Sequence, residues 1–68
     1  MMLEEIRETI SDSLKSLEEF EIYCGCKLER TRKYLEEALD EINKGRIVPA
    51  ENKALEALRV IKEDIESC

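Results

Sequence analysis

The chain has 68 residues, with 17 Asp and Glu against 11 Lys and Arg, no histidine and a formal net charge of −6. So short a chain holds at most one domain, in the size range where disulfides, metals or oligomerisation usually supplement the core. The negative balance disfavours nucleic acid, whose binding rests on Lys and Arg neutralising phosphates, and no apolar run is long enough for a membrane span.

Met1–Leu3 leads directly into Glu4 and Glu5 without a basic or apolar leader, which predicts a cytoplasmic protein. Leu3, Ile6, Ile10, Leu14, Leu17 and Phe20 then recur at steps of three and four, predicting a helix over about 3–23. Cys24, Leu28, Thr31, Leu35, Ala38 and Ile42 continue the stripe, for a second segment over about 26–44. Lys44 followed by Gly45 reads as a helix end, and Pro49 as the first turn of a third segment over about 50–67. Ala54, Leu58, Ile61, Ile65 and Cys68 form its stripe, while Ile47 and Val48 are expected to tuck a short loop onto the core. The expected core comprises Ile6, Ile10, Leu14, Leu17, Leu28, Leu35, Leu39, Ile42, Leu55, Leu58, Ile61 and Ile65. The fold class is all-α, three helices running up, down and up.

The junction at Cys24-Gly25-Cys26 admits two architectures. Glycine and the near-equal segment lengths favour a turn, which closes the bundle within one chain. Against it, no Ser, Thr, Asp or Asn between Leu17 and Arg30 is available to cap a helix starting near Cys26. Lys27, Arg30, Arg32 and Lys33 would also crowd the positive end of that helix. A continuous helix over 3–44 avoids both penalties for about 1 kcal/mol at one interior glycine. Its first half would then be covered by another chain, giving a segment-exchanged homodimer with the same contacts.

The three cysteines meet at one level in either architecture. Returning from Pro49, the third helix rises about 28 Å to Cys68, which is the level of residues 25 and 26 counted back from Lys44. Cys24 and Cys68 fall on apolar stripes, so Cys24–Cys68 is the expected disulfide, with Cys26 free or bridging chains. Cysteine as an unreactive packing residue is the competing reading. Three Cys without His do not complete a zinc site in one chain, and no histidine stands ready as base for a catalytic thiol. The Glu- and Lys-rich composition resembles that of thermophile proteins, in which intracellular disulfides are tolerated.

Charge is unevenly spread: residues 1–25 hold seven acids and two bases, whereas 26–45 hold five of each. The basic cluster Lys27, Arg30, Arg32 and Lys33 could meet a partner or an anion, but local pairs Glu29–Lys33, Arg32–Glu36 and Lys33–Glu37 are the expected use of its charge. Phe20, Tyr23 and Tyr34 are too few for a base-stacking platform. Glu36, Glu37, Asp40 and Glu41 have a spacing that could hold a divalent cation if Glu63 and Asp64 faced them, although such runs usually face solvent.

The run Arg32-Lys-Tyr-Leu-Glu-Glu-Ala-Leu-Asp-Glu-Ile-Asn-Lys-Gly, with Ala54-Leu-Glu-Ala-Leu after a short loop, resembles the helix–Lys-Gly–helix hairpin of small archaeal helical families, including HEPN-like domains. The resemblance covers about half the chain and implies a helical, often dimeric domain. The HEPN nuclease signature ends in a histidine that is absent here, so RNase activity does not carry over. The expectation is a non-enzymatic interaction or scaffold protein without cofactor, acting as a homodimer or on a protein partner. The alternatives are a nucleic-acid-associated regulator using residues 27–33 and a carboxylate metal-dependent enzyme.

Overall fold

In a computed structural model, which describes residues 3–68, the chain forms three helices: α1 (Leu3–Cys24), α2 (Glu29–Asn43) and α3 (Ile47–Glu66). They make an all-α bundle 34 × 18 × 15 Å in extent. α2 is the middle helix, packed closely on α3 and more lightly on α1, while α1 and α3 scarcely meet. The close approach of α2 and α3 follows from the small side chains between them. Ala38, Ala50 and Ala57 are buried there, and interaxial distance is set by side-chain size at the contact.

The chain turns at Gly25, as in the closed architecture. Gly25 takes φ +69°, a left-handed conformation that glycine adopts without a Cβ penalty. Its N–H and that of Cys26 both donate to the Glu21 carbonyl, at 2.8 and 3.2 Å, closing the last turn of α1. Gly45, at φ +77°, ends α2 in the same way: its N–H donates to the Ile42 carbonyl and that of Arg46 to the Glu41 carbonyl, each at 2.9 Å. Here the Arg46 and Glu41 side chains form an ion pair at 3.8 Å, where a hydrophobic contact usually accompanies the motif.

Helix boundaries differ from expectation at two places. α2 begins at Glu29 rather than near 26, because Cys26, Lys27 and Leu28 are spent in the turn. α3 begins at Ile47, and Pro49 sits in its first turn, where no amide donor is required. Ile47 and Val48 are consequently exposed helix residues, not a loop tucked onto the core.

Of the expected core, Ile10, Leu17, Leu28 and Ile42 are buried, and Ile6, Leu14, Leu35, Leu39 and Ile61 are half-buried. Leu55, Leu58 and Ile65 are exposed, Leu58 to 67%. Their stripe is on α3 as predicted, but α1 leans on α2 and leaves it uncovered.

Candidate functional site

Two regions of the bundle carry features beyond packing: the end where the cysteines meet, and the opening between α1 and α3.

At the cysteine end, Cys26 and Cys68 are joined with Cα atoms 5.4 Å apart, a separation of 42 residues, within the range a disulfide requires. The expected Cys24–Cys68 pairing is therefore corrected to Cys26–Cys68, and Cys24 is free and exposed. The return path of α3 brings Cys68 to the right level, but the stripe argument assumed that helical rotation continued through Cys24. The turn at Gly25 breaks that phase. It leaves Cys24 on the last residue of α1 and brings Cys26 across to α3.

The same end shows how α2 starts without a local capping residue. Leu28 occupies the cap position and its side chain can accept nothing. Instead, the Leu28 N–H donates to Glu21 Oε2 at 2.6 Å, and the Thr31 N–H donates to Asp64 Oδ2 at 2.9 Å. The Thr31 hydroxyl donates to the same Asp64 oxygen at 2.9 Å. One carboxylate comes from α1 and the other from α3, so two of the orphan amides at the start of α2 are satisfied through tertiary structure. Both acids and Thr31 are buried, and no buried side-chain polar atom among the described residues lacks a partner.

These carboxylates also engage the two arginines of the basic cluster. Arg32 pairs with Glu21, and Arg30 with Asp64 Oδ1 at 3.0 Å and Glu63 Oε1 at 3.1 Å. The expected pairs Glu29–Lys33, Arg32–Glu36 and Lys33–Glu37 do not form among the described residues. Arg32 reaches across to α1 instead, and Glu37 binds Lys53 at 3.0 Å. Lys27 and Lys33 remain exposed. Burial pushes the Asp64 carboxyl up, but hydrogen bonds from the Thr31 N–H and hydroxyl and from Arg30 outweigh it, holding the group below its ordinary value of 3.8. Hydrogen bonds to Asp64 and then Glu63 raise Arg30, and the one to Glu37 raises Lys53, whose Nζ lies 5.8 Å from the Tyr34 ring centre.

A lowered carboxyl stabilises the fold at pH values above its unfolded pKa, and that contribution is lost as pH falls through the folded value. We expect Asp64→Asn to cost about 1–3 kcal/mol at neutral pH, by weakening a buried set of hydrogen bonds to a charged acceptor. The difference between wild type and variant should narrow as denaturation is repeated below pH 3.8. A gap that stays constant to the lowest pH would assign the cost to shape rather than charge.

The acidic run on α2 disperses. Glu37 pairs with Lys53, Asp40 with Lys44 at 2.9 Å and Glu41 with Arg46, while Asp64 serves the opposite end of α2. Among the described residues no three His, Cys, Asp or Glu side chains converge in metal-binding geometry, and no described helix is long and apolar enough to cross a membrane.

Between α1 and α3 lies an open groove of about 770 Å³. Ile10, Leu17, Leu28, Leu35, Ala57 and Ile61 line it, with Phe20 on the α1 side and Leu58 and Ile65 on the α3 side. Thr9 and Ser13 also line it, but their hydroxyls donate to the Glu5 and Thr9 carbonyls of their own helix at 2.9 Å. Those O–H donors of the α1 wall are therefore spent. Sequence reading placed the apolar stripes correctly and expected them to meet; the groove exists because they do not.

Comparison with protein-family models, curated proteins and solved structures found no match.

Proposed function

We infer that this is a small, acidic, cytoplasmic interaction module that works through helix surfaces and without catalysis, its α1/α3 groove receiving an amphipathic helix. The observation that carries the reading is the groove, a concave apolar surface with Leu58 67% exposed on its rim. Contiguous exposed apolar surface of this kind marks interaction sites, and an amphipathic helix laid in a groove is a recurring mode of recognition. The engagement of Arg30 and Arg32 by Asp64, Glu63 and Glu21 supports this reading over one in which residues 27–33 bind nucleic acid.

Panning a displayed library of amphipathic helices against the dilute, oxidised chain tests it. Enrichment of sequences with apolar residues at i, i+3, i+4 and i+7, abolished by Leu58→Glu, is expected. No enrichment, or enrichment indifferent to that substitution, would overturn the groove as the binding surface. Tight retardation of generic DNA or RNA at physiological salt would instead favour the basic cluster.

A further inference from the structure

We propose that the helix received by the groove is α3 of a second copy of this chain, the two copies related by a twofold axis near Leu58. The inference rests on the groove reading and adds the partner. A twofold interface is self-complementary, so a single chain must carry both halves of the contact. This chain does. Beside its groove stands a ridge on α3, the exposed Leu55, Leu58 and Ile65 at steps of three and seven with Lys62 between them. Antiparallel crossing of the two α3 helices at Leu58 inserts each ridge into the other copy's groove. Four layers result, α1 and α3 from each chain, with α2 outside.

Charge selects the same arrangement. α1 and α3 run in the same direction, and Ile10 shares a core cluster with Ala50. Asp12, which lines the groove, thus stands at its N-terminal end. Lys62 lies four residues beyond Leu58, about 6 Å along α3, and an antiparallel copy carries its Lys62 back towards Asp12. Neither Asp12 nor Lys62 has an ion-pair partner among the described residues, whereas Arg59 is engaged by Glu56 at 2.6 Å. The excess of acid on α1 would meet the free cation of the other chain's α3. Such complementarity fixes register and orientation more than it adds affinity.

Sedimentation equilibrium over a range of chain concentrations provides the test. The wild-type chain should approach twice the 7.9 kDa of one chain, and Leu58→Glu should remain at 7.9 kDa. Asp12→Lys and Lys62→Glu should each weaken association about two- to fivefold, and the combined swap should restore it, as expected for an exposed pair. Both positions are exposed, so the swap reports on the interface even if Leu58→Glu perturbs folding, which circular dichroism would reveal. A chain monomeric at every concentration overturns the second copy while leaving the groove to the panning result. A dimer indifferent to Leu58→Glu and to both charge changes uses another surface, such as exchange of α1, and overturns the proposal outright.

Discussion

Removing the Cys26–Cys68 bond should lower stability by about 4 kcal/mol, the loop-closure entropy expected for a cross-link spanning 42 residues. For a domain whose core is this small, that is a large share of the total, since folded domains are stable by only about 5–15 kcal/mol. Urea denaturation under non-reducing conditions should show the loss for Cys68→Ser and for the double variant Cys24→Ser/Cys26→Ser, in which no alternative partner for Cys68 remains. Cys24→Ser alone should be nearly silent, because its thiol is exposed and unbonded. If Cys24→Ser proves as damaging as Cys68→Ser, the bond runs through Cys24 and the turn at Gly25 is misplaced.

Leu28→Ala should be comparably severe. Leu28 is fully buried, at 0% exposure, at the end of the turn that joins α1 to α2. Truncating such a side chain removes its transfer energy and leaves a cavity, at a cost of about 2–5 kcal/mol. Ile42→Ala, at 1% exposure in the cluster with Ile10, Ala38 and Ala50, belongs to the same class. Leu58→Ala should stay within about 0.5 kcal/mol when melted at low chain concentration, because its side chain faces the open groove. Equal losses at Leu28 and Leu58 would show that α1 closes over α3 in solution. A loss at Leu58 that grows with chain concentration is what the proposed dimer requires.

The contrast between Leu28 and Leu58 shows how much of the fold was legible. Both occupy stripe positions that the periodicity located, Leu28 just ahead of α2 and Leu58 within α3, and nothing in their spacing distinguishes them. Leu28 is covered because the turn folds it inward; Leu58 is uncovered because α1 leans on α2. Periodicity reports which face of a helix is apolar, and it is silent on whether that face has found a partner.

The start of α2 teaches the same lesson through polar groups. The missing local cap and the basic first turns both argued for a helix running through Gly25. Local reading could not see that Glu21, seven residues upstream of Leu28, and Asp64, thirty-three downstream of Thr31, would supply the acceptors. A signal was present, since both acids sit on otherwise apolar faces near the helix ends that meet the turn. Their role becomes readable only when those ends are placed side by side.

By itself the sequence determined an all-helical chain with three apolar stripes, the break after Lys44, the level at which the thiols meet and the surplus of acid on α1, because each depends on local spacing, backbone preference or composition. Only the tertiary structure decided that the chain turns at Gly25, that Cys26 rather than Cys24 joins Cys68, that Arg30 and Arg32 are consumed by buried carboxylates, and that a groove separates α1 from α3. Those outcomes depend on which surfaces come into contact, and a capping bond or a packed face stabilises the fold only when residues distant in the chain arrive together.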